Sequence, residues 1–182
     1  MRLRTAIPLV AVLGLLASGC SGGGAKPTTL PSLSATPPVT ASPATVPIAA
    51  RAQTPVGAVA FVHFFYDQVN AAFSTADPGL LFGLSDPACG TCKNYAQAAQ
   101  QFRTDGQRIR GTSVRILTAE APPLDRGFIA VDVFFDAPAR AVVDMTGRVV
   151  KGLPAEPRYH RTVYVERVSA GWILRAVKDA MP

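Results

Sequence analysis

The spacing of apolar residues changes at Gly106 from a helical period to a strand period. Apolar residues that recur every three or four positions form one face of an amphipathic helix, whereas strict alternation belongs to a strand with one buried face. Because the helical patterns precede the alternating ones, the sequence predicts an α+β fold and argues against alternating βαβ units.

Three helix starts precede that change, each made of a capping residue followed by proline. They are Thr54-Pro55, Asp77-Pro78 and Asp86-Pro87. The first predicts a helix over 54–74, the second a short helix around Leu80, and the third a helix that ends at Gly106. The third helix carries an apolar stripe at helical spacing, formed by Cys92, Tyr95, Ala99 and Phe102.

Alternating patterns after Gly106 predict between four and six strands, mostly antiparallel. One strand has an apolar face and an acidic face, formed by Ile129, Val131, Val133 and Phe135 on one side and by Asp132 and Asp136 on the other. Hairpin turns are predicted at Thr146-Gly147 and at 169–171. The expected architecture is therefore three N-terminal helices packed on one face of a curved, mostly antiparallel sheet.

The first 19 residues have the pattern of a secretory signal. Arg2 and Arg4 are followed by an apolar run from Ile7 to Leu16 and then by three small residues. Positive charge, a short apolar stretch and small residues are the three parts of a cleavable signal. The apolar stretch is shorter than the roughly 20 residues that a membrane-spanning helix needs.

A cysteine stands directly after the small residues, in the run Leu16-Ala17-Ser18-Gly19-Cys20. This run resembles the lipobox of bacterial lipoproteins, which implies cleavage before Cys20 and attachment of diacylglycerol to its sulfur. Two or more acyl chains hold a protein stably on a membrane. We therefore expect a lipid anchor at the extracytoplasmic face of the cell membrane; an ordinary signal with an incidental cysteine is the alternative.

Residues 20–50 differ in composition from the rest of the chain. Six prolines fall between 21 and 50, surrounded mostly by Ser, Thr, Ala and Gly and without any aromatic residue. Such a segment cannot bury enough apolar surface to offset the entropy of ordering it. It predicts a disordered tether, followed by a single domain over 51–182.

The net charge of +6 does not indicate a nucleic-acid partner. The basic residues are scattered, and two of them, Arg2 and Arg4, belong to the signal. A nucleic-acid groove would cluster Lys and Arg with aromatic residues along one stretch. We expect no nucleic-acid binding.

The lipobox, the Pro/Thr-rich tether and the motif Cys89-x-x-Cys92-x-x-Tyr95 together resemble uncharacterised lipoproteins of high-GC Gram-positive bacteria. The resemblance, together with the order of helices and strands, implies a nuclear-transport-factor-like, cystatin-related cone. Cones of this kind host isomerases, dehydratases and hydrolases as well as ligand and partner sites, and they often form homodimers. Fold alone therefore does not choose the function.

Cys89 and Cys92 form the most specific chemical motif. Lipidation of Cys20 leaves them as a pair, and the compartment outside the membrane permits disulfides. A disulfide that staples the start of the third helix is the favoured interpretation. The alternative is a thioredoxin-like redox pair. This alternative is disfavoured because no strand is predicted before the motif and because the βαβ context is missing.

The other candidate residues give weaker indications of a functional site. His63 lies four residues before Asp67 on the polar side of the first helix, where a solvated surface is the favoured interpretation. Tyr66 lies at the edge of the apolar face, and Asp132 points either into the cone or to water. With His63 and His160 as the sole histidines, we expect no metal site and no cofactor.

The sequence favours a binding or interaction module in which His63, Tyr66 and Asp132 are candidate pocket residues and none is assigned a catalytic role. The ligand is an unknown small molecule or a protein of the cell envelope. The alternatives are a small cone-fold enzyme with an Asp or His base, and a thiol–disulfide oxidoreductase that uses Cys89 and Cys92.

We predict that Cys20→Ser abolishes lipidation. The wild-type chain incorporates radiolabelled fatty acid and fractionates with membranes, because the thiol of Cys20 is the acyl acceptor. The variant takes up no label and leaves the membrane fraction. A variant that stays equally membrane-bound would rule out the anchor.

Overall fold

The computed structural model describes residues 45–123 and 127–180; the signal, Cys20 and most of the tether lie outside the described residues. Two α-helices come first, α1 (Pro55–Thr75) and α2 (Gly90–Thr104). Seven strands follow: β1 (Gln107–Arg110), β2 (Arg115–Glu120), β3 (Phe128–Ala137), β4 (Arg140–Asp144), β5 (Val149–Leu153), β6 (Glu156–Val168) and β7 (Gly171–Asp179). Among these residues no helix is long and apolar enough to cross a membrane.

The strands form two antiparallel sheets. The larger sheet has the order β2-β3-β6-β7, and the smaller has the order β1-β4-β5. The pairing shifts register in β2 near Leu117, in β3 near Asp136 and between β6 and β7 near Tyr164. Such bulges bend a strand and increase its twist. The α+β class predicted from the sequence is confirmed.

The prediction of three N-terminal helices is wrong. The Asp77-Pro78 start produces only a four-residue 3-10 turn, Pro78–Leu81. Gly79 lies inside this turn, and Gly83 follows it with a left-handed φ of 76°. Glycine favours such turns and weakens a continuing helix.

The start of α2 lies three residues later than the Asp86-Pro87 signal predicts. The carboxylate of Asp86 accepts a hydrogen bond from the Ala88 N–H at 2.6 Å, which forms a turn rather than a helical start. Cys89 then caps the helix, and its sulfur accepts a hydrogen bond from the Cys92 N–H at 3.3 Å. Gly106, with a φ of 63°, follows the end of the helix as predicted.

The prediction of a single sheet with up to six strands is also wrong. Strand β1 is the additional strand, and it pairs with β4 from Gln107 to Arg110. Ile109 is its only buried residue, so the segment lacks the alternating apolar pattern by which a strand is recognised. Together with the β4–β5 hairpin it forms the small second sheet.

Helix α1 packs its aromatic face against the inner face of the larger sheet. Phe61 and Phe65 are fully buried there. The sheet contributes buried side chains at alternate positions, namely Ile129, Val131, Val133 and Phe135 of β3, Val163 and Val165 of β6, and Leu174 of β7. Complete burial of a side chain of this size stabilises the fold by about 1.5–3 kcal/mol.

The start of α1 is fixed against the sheet by close backbone contact. Trp172 donates a hydrogen bond from Nε1 to the Ala52 carbonyl at 2.8 Å. A Cβ atom on Gly57 would lie 1.8 Å from the same carbonyl oxygen, so only glycine fits this position. The Thr54 hydroxyl accepts the Gly57 N–H at 3.1 Å and caps the helix as predicted.

Asn70 connects α1 to the segment just before β2 through three hydrogen bonds. Its side-chain oxygen accepts hydrogen bonds from the N–H groups of Ser113 and Val114, both at 2.9 Å, and its amide donates to the Val114 carbonyl at 2.8 Å. Asn70 therefore satisfies three backbone groups just before β2, where Ser113 and Val114 are buried. Asn70 is therefore a structural residue of the domain rather than part of the solvated face that carries His63 and Asp67.

We predict that Asn70→Ala lowers the free energy of unfolding by about 3 kcal/mol, because three buried backbone groups lose their partner. Chemical denaturation measures this loss. Asp67→Ala, at an exposed position one turn earlier on α1, is the matched control and changes stability by less than about 0.5 kcal/mol. Equal effects of the two variants would contradict the role given to Asn70.

Candidate functional site

A cavity of 600 Å³ opens between the two helices and the inner face of the larger sheet. We call it the tyrosine cavity because three tyrosines line it, one from α1, one from α2 and one from β6. They are Tyr66, Tyr95 and Tyr159. Its size lies within the range of roughly 300–1,000 Å³ that is typical of small-molecule sites.

The three phenol rings pack through their edges and through Phe135. The Tyr66 and Tyr95 ring centroids are 6.2 Å apart at 77°, and the Tyr66 and Phe135 centroids are 4.7 Å apart. Tyr159 stacks on Phe135 with a centroid distance of 5.5 Å. Edge and stacked contacts of this kind add to the stability gained from burial alone, so the rings have fixed orientations.

The environment keeps the three hydroxyl groups protonated. Burial raises the pKa of Tyr66 well above its ordinary value, and repulsion and hydrogen bonding with Tyr95 raise it further. Burial also raises the pKa of Tyr95 and of Tyr159. Each phenol therefore keeps its proton at neutral pH and can donate a hydrogen bond.

Two cations, Arg161 and Lys178, line the cavity, and the charge of Arg161 acts on all three phenols. Arg161 lies on the same face of β6 as Tyr159, and its guanidinium carbon lies 5.6 Å from the centroid of that ring. Its charge lowers the pKa of each tyrosine, against the larger effect of burial. The Arg161 side chain is 36 % exposed and forms an ion pair with Asp179, which is 83 % exposed.

The cavity is lined by two carboxylates, Asp179 and Glu156, and Glu156 is also paired with an arginine. Glu156, at the start of β6, accepts a hydrogen bond at 2.5 Å from Arg140. The Arg140 side chain is only 13 % exposed, whereas that of Glu156 is 55 % exposed. Both carboxylates therefore lie toward solvent, each held by an arginine that is more buried.

The disulfide between Cys89 and Cys92 is present and belongs to the hydrophobic core. The two residues are 2 % and 3 % exposed. Between them Thr91 lines the tyrosine cavity, and Tyr95 follows one turn later. The disulfide therefore fixes the end of α2 that carries two lining residues.

The structure separates the three candidate pocket residues. Tyr66 is buried and lines the tyrosine cavity. His63 is exposed and lines a different groove of 360 Å³, which also contains Asp67 and Tyr66. Asp132 lies on the outer face of β3, opposite the core side chains, with 56 % of its side chain exposed.

Asp132 takes part in a small polar cluster on that outer face. It accepts a hydrogen bond from the Thr162 hydroxyl at 3.0 Å, and His160 Nε2 lies 3.6 Å from it. The His160 ring stacks on Phe134 with a centroid distance of 4.2 Å. Because the sheet lies between this cluster and the tyrosine cavity, Asp132 does not act as a base there.

Sequence reasoning missed Tyr159 and Arg161 as pocket residues and assigned Tyr95 only to an apolar stripe. A period of two along β6 would have found the first two, since Tyr159, Arg161, Val163 and Val165 share one face. In the described ranges, 45–123 and 127–180, no three His, Cys, Asp or Glu residues group as metal ligands.

The chain belongs to a family of unknown function, DUF6318, whose family model matches residues 37–178. No curated protein matches the sequence.

Several solved structures resemble the fold. The intermembrane space region of the chloroplast protein ARC6 has a TM-score of 0.51 and 13 % identity, and the match covers 69 % of this chain and 97 % of that one. An uncharacterised protein with a cystatin-like fold from Caulobacter vibrioides has a TM-score of 0.39 and 15 % identity, over 66 % and 88 % of the two chains. Aln2 from a Streptomyces species has a TM-score of 0.42 and 17 % identity, over 65 % and 87 %. At these identities the likeness concerns the fold alone.

We predict that stability falls as the pH rises above about 10, the ordinary pKa of tyrosine. Above that pH the unfolded chain loses its phenol protons while the folded chain retains those of the cavity, so fewer protons are bound in the unfolded state and the free energy of unfolding decreases. Tyr66→Phe makes this decrease less steep, by up to about 1.4 kcal/mol per pH unit.

Chemical denaturation between pH 8 and pH 11 measures the slope, and absorbance at 295 nm follows the phenolates directly. The same absorbance titration in denaturant gives the reference curve. Coincident curves for the folded and unfolded chains would contradict the protected phenols.

Proposed function

We propose that this protein is a lipid-anchored lipoprotein of the cell envelope whose α+β domain binds a small organic molecule in the tyrosine cavity. The observation that carries the proposal is a cavity of suitable size, lined by three tyrosines with raised pKa and by Arg161. Protonated phenols and a guanidinium are hydrogen-bond donors, so they recognise an acceptor group on the ligand. The lipobox at Cys20 and its resemblance to lipoproteins of high-GC Gram-positive bacteria support the anchor.

A binding role is favoured over a cone-fold enzyme by the charges of the cavity. Its carboxylates, Glu156 and Asp179, are ion-paired with Arg140 and Arg161. A general base needs a proton acceptor within reach of the ligand and with a pKa suited to the working pH. The buried phenols retain their protons at neutral pH and do not supply that acceptor.

A binding role is also favoured over a thiol–disulfide oxidoreductase. Exchange requires attack by an external thiolate on an accessible sulfur. Cys89 and Cys92 are both buried in the core, which supports a structural disulfide.

We predict that filling the cavity abolishes binding. A fragment library is screened by saturation-transfer NMR against the chain from residue 20 that carries Cys20→Ser. Thr91→Trp places an indole in the cavity and lowers the affinity of the bound fragments at least tenfold. Lys93→Trp, at an exposed position of the same helix, is the matched control and leaves binding unchanged.

Two results would refute the proposal. One is a screen in which no fragment binds to the Cys20→Ser chain. The other is binding that survives Thr91→Trp, which would place the fragments elsewhere on the surface.

A further inference from the structure

A second, smaller cavity of 260 Å³ adjoins the tyrosine cavity. We call it the side chamber. The two cavities share three lining residues, Tyr95, Glu156 and Tyr159. Their common boundary therefore consists of two phenols and an exposed carboxylate.

The walls of the side chamber are mainly apolar and come from both helices and from the smaller sheet. They include Phe73 of α1, Ala98 and Phe102 of α2, Ile109 of β1 and Leu153 of β5. The Phe73 and Phe102 rings meet edge to face at 5.7 Å, and both are only half-buried. Part of their apolar surface is therefore free to contact a ligand.

The side chamber is large enough for a hydrocarbon group. An apolar cavity of about 150 Å³ accommodates benzene, and this chamber measures 260 Å³. A ring with a short substituent or a short alkyl chain therefore fits within it. Burial of such a group is favourable because it removes apolar surface of both the ligand and the aromatic walls from water.

Arg140 also lines the side chamber, but its guanidinium is paired with Glu156. The tyrosine cavity has more polar donors. Tyr66, Tyr95 and Arg161 lie inside, whereas the carboxylates of Glu156 and Asp179 lie toward solvent at the edge. Donors inside and carboxylates outside favour a ligand group that accepts hydrogen bonds and carries negative charge. Charge-assisted hydrogen bonds to such a group are about twice as strong as neutral ones.

We infer that the two cavities bind one small anionic amphiphile, with a carboxylate head among the phenols and Arg161 and an alkyl or aryl tail in the side chamber. This inference rests on the proposed function, which requires only that the tyrosine cavity bind a small molecule. It adds the class of ligand and the second half of the site.

The experiment uses straight-chain alkanoates from butanoate to decanoate and the Cys20→Ser chain. Isothermal titration calorimetry or NMR gives each dissociation constant. Affinity rises about fourfold for each methylene that enters the side chamber and stops rising when the chamber is full. Alkylammonium ions of equal length bind at least tenfold more weakly, since an ammonium group cannot accept a hydrogen bond from the phenols or from Arg161.

One variant tests the binding site of the tail and another tests that of the head, and a third serves as a control. Ala98→Phe fills the side chamber and removes the dependence on chain length, whereas Gln100→Phe, at an exposed position of α2, preserves it. Tyr95→Phe keeps the ring but removes a donor, so it weakens all alkanoates by a similar factor of about ten and leaves the dependence on chain length unchanged. Thermal denaturation without ligand verifies that each variant is folded.

The outcomes distinguish this inference from the proposed function. Alkanoates whose affinity does not change with length, or whose chain-length dependence survives in folded Ala98→Phe, overturn the side chamber but leave fragment binding in the tyrosine cavity intact. Failure of every alkanoate to bind, or stronger binding of the alkylammonium ions, overturns the ligand class. If Thr91→Trp also fails to affect the fragments, the proposed function itself is refuted.

Discussion

The contact between the aromatic face of α1 and the inner face of the larger sheet determines where the groups of the candidate site lie. Phe61 and Phe65 are fully buried against alternating valines of the sheet. One residue along a helix corresponds to a rotation of about 100°, so the burial of Phe65 turns the adjacent Tyr66 toward the cavity. The same alternation that buries Val163 brings Arg161 to the inner face of β6. The core and the candidate site are thus consequences of one packing arrangement.

Much of the fold follows from local patterns in the sequence. The Thr54 cap, the alternating face of β3, the Thr146-Gly147 turn and the final hairpin all agree with the structure. Strand β1 has no such pattern because it buries a single side chain, Ile109. Its place is fixed by pairing with β4, a contact distant in sequence that no local period reveals.

The same local patterns predict only some of the residues of the candidate site. The sequence identifies Tyr66, but the alternation that places Ile129 and Val131 in the core also places Asp132 on the opposite face, which argues against Asp132 as a pocket residue. Tyr95 falls in an apolar stripe because a tyrosine has an apolar ring and a polar end, and only the packing shows where the hydroxyl lies. Glu156 and Asp179, at opposite ends of two different strands, meet their arginines only in the folded chain.

The position of the disulfide links the maturation of the domain to its compartment. Disulfides do not persist in a reducing cytoplasm, so a chain that is exported as proposed would cross the membrane without the covalent bond between Cys89 and Cys92. The first turn of α2 would be less constrained until that bond forms. Oxidation outside the cytoplasmic membrane would then fix the positions of Thr91 and Tyr95, so that the tyrosine cavity would reach its final shape only after export.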